Sequence, residues 1–457
     1  MKVLFCASEV APFAKTGGLG DVAGSLPLAL EKLGFRTMIV MPRYRGLPGE
    51  KKNLSENVSV HFVEHEAYFN RASLYGNCDE DYPDNLKRFS FFCEAALELA
   101  KLEGFKPDVV HAHDWQAALL PVYLKTKFAA DPFFKESRSV MTLHNIAYQG
   151  IFPRVQFGDL GLPEGLVFDE TFEYYGKINL LKGGIIFSDG ITTVSPTYAD
   201  EIQTKEYGFG LEGVVKKKNV HLRGILNGVD TRVWDPATDR TIRQTYSAEN
   251  LEGKAVCKAD LQASCGFETD HRVPLFCIIS RLVQQKGLDL LTEIADSFLS
   301  RKVQFVLLGE GEAAYKTAFG NIQRRHPKNS KVYLEFDAQE ARRIYAGADF
   351  FMMPSIFEPC GLSQLISLKY GTIPVVRHTG GLADTIKDIG ADPQEGNGLV
   401  FQSRSPEKFL ETLVLAENLF QDKDRFQNIR KRAMKSDFSW KKSAVKYAEF
   451  YKEIMKS

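Results

Sequence analysis

The sequence has no excess of charge of either sign: 58 Lys and Arg face 58 Asp and Glu across 457 residues. A protein built to hold a polyanion carries a basic surplus, so nucleic acid is not expected as a partner. Long apolar runs are missing too. No stretch approaches the roughly 18 consecutive apolar residues that span a bilayer, and the apolar part of MKVLFCASEVAPFAK is too short for a secretory leader. No membrane association is expected. Cysteine is scarce and unpatterned. The seven (Cys6, Cys78, Cys93, Cys257, Cys265, Cys277 and Cys360) are odd in number and form no C-x-x-C, which fits reduced thiols in a cytoplasmic protein.

What is present is a long alternation of short apolar strands and helices. Val3–Ser8 reads as a buried strand, followed by a Gly-rich turn, a helix over Asp21–Leu33 and a strand over Thr37–Met41. Asp108–His111, Ser139–Leu143, Ile191–Ser195 and Arg223–Leu226 read as further strands, with helices over Trp115–Lys125 and Glu173–Ile186. A polar stretch from Thr231 to about Arg272 reads as a connection, with a helix around Leu251–Ala263. A second series begins at Pro274–Ser280 and runs through Leu288–Leu299, Val303–Leu308, Ala338–Ala346, Phe350–Met353, Ser363–Tyr370 and Ile373–Val376 to a charged helical tail from Pro406. The strands are apolar throughout rather than alternating, as in parallel sheets covered on both faces. The expected class is α/β, with two Rossmann-like doubly wound domains, 1–245 and 246–457, facing a central cleft at the carboxyl ends of their strands.

Two glycine turns stand out. Lys15-Thr16-Gly17-Gly18-Leu19-Gly20-Asp21 lies between a strand and a helix, where paired glycines admit a close ligand and helix N–H groups favour an anion. It is neither G-x-G-x-x-G nor a P-loop. Thr379-Gly380-Gly381-Leu382-Ala383-Asp384 echoes it in the second half. The pair suggests two anion cradles facing one cleft; the alternatives are a tight turn without a ligand for the first and chance recurrence for the second. Gly309-Glu310-Gly311 lacks the third glycine of a dinucleotide fingerprint and reads as a structural turn. The missing fingerprint at these turns argues against an NAD-dependent oxidoreductase.

Arg281 and Lys286 flank the end of a buried strand, where an Arg fork and a Lys point charge suit a diphosphate. Glu358 lies in Pro354-Ser355-Ile356-Phe357-Glu358-Pro359-Cys360-Gly361-Leu362, between a strand and a helix, and is read either as a helix-start carboxylate or as a group orienting sugar hydroxyls. Cys360 has no basic neighbour in sequence and reads as packing. His111-Ala112-His113-Asp114 and Thr142-Leu143-His144-Asn145 end two more strands. His111 and His113 share a strand face, so a metal pair is conceivable, but no further ligand pattern accompanies them. Asp79-Glu80-Asp81 matches a D-x-D metal pattern and reads as a solvated loop.

K-T-G-G-L-G-D-V, H-A-H-D-W, T-L-H-N-I-A-Y-Q-G, I-L-N-G-V-D, S-R-L…Q-K-G, F-E-P-C-G-L-S-Q-L and R-H-T-G-G-L-A-D-T occur in this order along nearly the whole chain. Together they resemble the bacterial glycogen synthases and plant starch synthases. The resemblance implies a GT-B enzyme that transfers glucose from ADP-glucose to the non-reducing end of an α-1,4-glucan with retention. It implies no metal and no cofactor. By match to the motifs, Lys15 and Gly18 contact the diphosphate. Arg281 and Lys286 neutralise the departing ADP, and Thr379, Gly380 and Gly381 supply backbone N–H groups. His144 lies against the glucose, with Asp114, Asn145 and Asn227 nearby. Glu358 and the backbone of Cys360, Gly361 and Leu362 hold glucose hydroxyls, and Phe336 stacks on adenine. Ile366 stands where the wider GT-B superfamily often has a second Glu, as in starch and glycogen synthases. Another GT-B transferase using UDP-glucose, or a non-catalytic nucleotide-sugar or glucan binder, would fit the single motifs less completely.

Overall fold

The computed structural model describes residues 1–77, 80–162, 166, 171–218 and 221–456. Cys78 and Asp79, the latter the first residue of the D-x-D pattern, lie outside the described residues. The chain forms two compact units, Met1–Gly228 with Trp440–Ser457, and Val229–Ser439.

The first unit is built on an eight-stranded sheet. Its order is Leu222–Gly224, Gly190–Thr193, Arg138–Leu143, Val109–His113, Lys2–Cys6, Arg36–Pro42, Val58–Val63 and Lys52–Asn53. All pairings are parallel except the last, between Lys52–Asn53 and Val58–Val63. The apolar runs are explained by burial on both faces: Val3, Leu4, Phe5, Val109, Val110 and Val140 are all fully buried. The terminal helix Trp440–Ile454 belongs to this unit and packs on the first helix, Gly18–Glu31.

The second unit carries a six-stranded parallel sheet in the order Ser330–Tyr333, Gln304–Leu308, Leu275–Ile279, Phe350–Met353, Ile373–Arg377 and Leu399–Phe401. Register is set by pairs such as Phe276 opposite Phe350 and Phe351 opposite Pro374. Both sheets are doubly wound. The chain leaves the first sheet's central strand Lys2–Cys6 toward one edge and resumes at Val109–His113 on its other side. It leaves Leu275–Ile279 toward Ser330–Tyr333 and resumes at Phe350–Met353. The crevice outside such a reversal is where open α/β sheets bind ligands.

Three expectations need correction. The polar stretch read as a connection belongs to the second unit from Val229 onward, so the boundary falls at 228–229 instead of 245–246. Its helix, Glu252–Ser264, packs on Ala338–Gly347 and inserts two lysines into the interior. Lys254 Nζ donates to Ala346 O and Thr372 Oγ1, while Lys258 pairs with Asp349 at 2.6 Å, an aspartate that Arg430 also holds at 2.8 Å. Polar composition there reflects a buried ion network rather than a linker. Second, Glu173–Ile186 is not one helix. Glu173–Tyr174 and Lys177–Asn179 form a hairpin, and the helix runs only over Leu180–Phe187. The turn Tyr175–Gly176 takes positive φ at both residues, which no helix accommodates. Third, Glu358 and Pro359 do not begin a helix, because the next one starts at Ser363.

Gly309 and Gly311 are structural, as read. A Cβ on either would sit 2.1 Å from Ser280 O or 2.4 Å from Leu282 O. A formal G-x-G-x-x-G does occur at Gly208–Gly213. It joins the helix Pro196–Glu201 to the helix Glu212–Lys217 rather than a strand to a helix, so it lacks the dinucleotide-binding geometry.

Candidate active site

In the first unit, the loops after the two strands at the reversal carry the candidate groups. The turn after Lys2–Cys6 is organised by a residue absent from the sequence reading, Glu9. This carboxylate, 4% exposed, accepts the Thr16 backbone N–H at 2.5 Å, the Thr16 hydroxyl at 2.6 Å, the Gly17 N–H at 3.2 Å and the Tyr75 hydroxyl at 2.7 Å. Gly17 caps the helix Gly18–Glu31 with extended backbone, and a Cβ there would meet no protein atom. The glycine cradle thus exists, but two of its N–H groups are held by the protein's own carboxylate. Lys15 leaves the turn toward solvent and pairs with Asp21 at 2.7 Å. Burial raises the Asp21 carboxyl above its ordinary range, with Lys15 opposing that shift.

The second loop begins at Asp114, which takes a left-handed φ of 56°, rare for a residue with a side chain. This turns its carboxylate back onto the neighbouring strand end, where it accepts the His144 backbone N–H at 2.7 Å. Burial lifts its pKa to about 7, although the backbone N–H groups of His144 and Asn145 favour the charged form. His144 Nε2 lies 2.9 Å from His113 Nδ1. Burial holds the His144 imidazole down at about 3, and burial with neighbouring histidines holds His113 well below the ordinary range, so both are neutral at pH 7. Both ring nitrogens of His111 are engaged, by Thr142 Oγ1 at 2.6 Å and Tyr451 OH at 2.6 Å. Asn145 Oδ1 accepts from Ala147 N, which ties the loop beyond His144. Asn227 is buried at the end of the strand Leu222–Gly224, and its Oδ1 has no partner among the described residues. The structure brings Asp114, His144 and Asn145 together. Among the described residues, no hydrogen bond of Asn227 Oδ1 links it to them.

In the second unit the reversal gathers charged groups. Lys286 Nζ donates to Glu358 Oε2 at 2.6 Å, and Ser355 Oγ donates to the same oxygen at 3.0 Å. The Glu358 side chain is only 7% exposed and that of Lys286 only 17%. Gly287 follows with φ 61°, where a Cβ would lie 2.0 Å from Pro354 O, so the two loops touch through backbone. Arg377, also buried, braces the Glu358 loop from the next strand by donating to Ser355 O at 2.7 Å and to Ile356 O. Arg281 is exposed at the end of Leu275–Ile279.

The second glycine turn packs directly against this loop. Gly381 N donates to Glu358 O at 3.0 Å, and a Cβ on Gly381 would lie 2.1 Å from Cys360 O. The Gly381 N–H expected to be open to a ligand is therefore spent on the Glu358 loop, and the glycine is required by a close backbone approach. Gly361 at φ 74° lets Gln364 fold back onto Cys360 O at 2.9 Å, and Leu362 caps the helix Ser363–Lys369. Phe336 is 65% exposed, just before the helix cap Asp337. Among the described residues, no group of three or more His, Cys, Asp or Glu could hold a metal ion, and no helix is long and apolar enough to cross a membrane.

Comparison with known proteins gives this arrangement a family. Residues 2–217 match the family described as the starch synthase catalytic domain, and residues 266–435 match glycosyl transferases group 1. Glycogen synthase 2 of Geobacter sulfurreducens is 44% identical over 476 residues, covering 99% of this chain and 98% of its own. Glycogen synthase of Thermotoga maritima is 42% identical, covering 100% and 99%. Among solved structures, the catalytic domain of starch synthase IV from Arabidopsis thaliana, bound to ADP and acarbose, superposes with a TM-score of 0.91 at 35% identity, covering 100% of this chain and 99% of that one. With sheets that reverse where its charged and histidine loops gather, and with relatives alike along their whole length, the chain belongs to the glycogen and starch synthase family of GT-B glycosyltransferases.

Proposed function

We propose that this enzyme transfers glucose from ADP-glucose to the non-reducing end of an α-1,4-glucan, with retention of configuration and release of ADP, in the cytoplasm and without a metal ion. The observation that carries the reading is the largely buried Lys286–Glu358 ion pair at the reversal of the second sheet, with Arg281 exposed at the end of the sheet's strand Leu275–Ile279. Breaking the sugar–phosphate bond builds negative charge on ADP, and fixed cations stabilise that charge without reorganising. Lys286 and Arg281 supply it. Lys15 and the Gly17–Gly18 turn offer a cation and an open glycine turn to a diphosphate. Phe336 offers an exposed ring for the adenine. Glu358, held by Ser355 and Lys286, orients glucose hydroxyls together with the Cys360–Leu362 backbone.

In the first unit the group that meets the sugar is uncharged. A neutral His144 contacts the glucose, and Asp114 holds its backbone. Both carboxylates that could form a covalent intermediate are committed, Glu358 to Lys286 and Asp114 to backbone N–H groups. This favours same-face attack, in which the leaving phosphate takes the acceptor's proton, over double displacement. ADP release should require both ADP-glucose and added glycogen, persist in EDTA, and be much slower with UDP-glucose. Release without acceptor, a preference for UDP-glucose, or a trapped glucosyl adduct on Glu358 or Asp114 would each contradict part of this reading.

A further inference from the structure

His113 ends the strand Val109–His113 beside His144, and the reaction as proposed gives it no part. Its ring is clamped. Phe5 lies on one contact with centroids 4.0 Å apart and planes 31° apart, and His111 on another at 4.0 Å and 40°. His111 cannot turn without breaking its bonds to Thr142 and to Tyr451 of the terminal helix. In this fixed pose His113 Nδ1 meets His144 Nε2 at 2.9 Å, while His113 Nε2 is buried with no partner among the described residues.

Both rings are neutral, so one proton lies between them and comes from one ring or the other. If His144 donates it, His113 carries its own proton on Nε2, and a buried N–H has no acceptor. If His113 donates it, the unmatched atom is a lone pair. Buried N–H groups without acceptors are the rarer kind of orphan. The second arrangement places the His144 proton on Nδ1. That atom has no partner among the described residues and is not among the buried unpartnered atoms, so it faces open space.

We infer that His113 is a positioning residue for glucosyl transfer: it donates from Nδ1 to His144 Nε2, fixes the Nδ1–H tautomer of His144, and so makes that side chain a hydrogen-bond donor toward an oxygen of the sugar. This rests on the proposal that His144 meets the glucose. It has a consequence for the chemistry. An Nδ1–H cannot accept a proton from the acceptor hydroxyl, so His144 is not the general base through its open nitrogen, and that proton leaves by another route.

The test is 15N NMR of the full chain with labelled histidine, the His144 signals being identified by their loss in His144→Ala. The expected result is a protonated Nδ1 and a bare Nε2. His113→Asn, whose amide nitrogen can stand where Nδ1 stood, should keep that pattern. His113→Leu should lose it, with kcat reduced on the order of 10–100-fold, as for a misplaced contact, and with little change in KM for ADP-glucose. His113→Asn should retain more of kcat than His113→Leu. A proton on Nε2 of wild-type His144 overturns the inference, and so does an unchanged tautomer in His113→Leu. If His113→Leu does not fold, the wild-type and His113→Asn spectra decide. Full transfer activity in His144→Ala, with the expected tautomer in the wild type, would sink the sugar contact while leaving the coupling of the two rings upheld.

Discussion

The two units solve the same topological problem with opposite chemistry. At the reversal of the first sheet, three histidines are neutral, two of them fully buried, and the carboxylates of Glu9 and Asp114 are occupied by backbone N–H groups. At the reversal of the second, a lysine and a glutamate share a short ion pair, and an exposed arginine follows the strand Leu275–Ile279. A neutral cluster suits hydroxyl recognition, because it can donate and accept without attracting stray ions. A charged pair suits a leaving diphosphate. Under the proposed reading, a neutral histidine of the first unit meets the sugar and the cations of the second meet the departing nucleotide, with Lys15 and Glu358 each serving the other task.

The largest expected effect is at Lys286. Lys286→Ala should lower kcat on the order of 10²–10³-fold and also cost about 3–5 kcal/mol of stability, because Glu358 is left buried without its partner. Arg281→Ala should cause a comparable fall in kcat with stability unchanged within about 0.5 kcal/mol, since Arg281 is exposed. Urea denaturation beside steady-state kinetics separates the two. Equal destabilisation by both would erase the distinction between a buried pair and a free cation.

Gly381→Ala should come next, at about 1–3 kcal/mol, because the new methyl must push the Cys360 carbonyl aside. Glu9→Ala should be similar, about 1–3 kcal/mol, since it leaves the Thr16 and Gly17 N–H groups without their acceptor. A Glu9→Ala protein as stable as the wild type would show that the turn does not depend on that carboxylate.

The smallest effect is on pH dependence, and it differs in sign within the first unit. His111, His113 and His144 have folded pKa values lowered by burial. The stability tied to their neutral forms is present above about 6.5 and is lost as pH falls toward 3. Asp114 is raised to about 7, so its contribution is full below about 4 and is lost as pH rises through 7. Three groups outweigh one, and the urea midpoint should fall between pH 7.5 and pH 5. Asp114→Asn removes the opposing member, so its midpoint should fall more steeply over the same range. A midpoint independent of pH would contradict the neutral cluster.

Much of this architecture was legible in the sequence because parallel strands buried on both faces are apolar runs. Phe350–Met353 and Leu288–Leu299 stand as expected to the residue. Less legible were the places where polarity and burial coincide. Lys254 and Lys258 lie in the stretch that reads as a connection, yet they are 2% and 6% exposed, because a helix-end carbonyl, the Thr372 hydroxyl and a buried aspartate receive them. Glu9 sits in an unremarkable S-E-V-A-P, and only the fold shows that its carboxylate closes on Thr16 and Gly17. A carboxylate at the carboxyl end of a buried strand was the available signal. The glycines of the Thr379–Gly381 turn suggested an open cradle, while the structure spends Gly381 on contact with the Glu358 loop. Family motifs named the groups that gather at each reversal, but not which of them are already bonded to one another.

The division of labour between a neutral histidine that meets the sugar and cations that meet the nucleotide is tested most directly by calorimetric titration of ADP into the wild type, Arg281→Ala and His144→Ala. ADP affinity should drop in Arg281→Ala and stay at the wild-type value in His144→Ala, although both lose transfer activity. Equal weakening of ADP binding by the two substitutions would contradict the account.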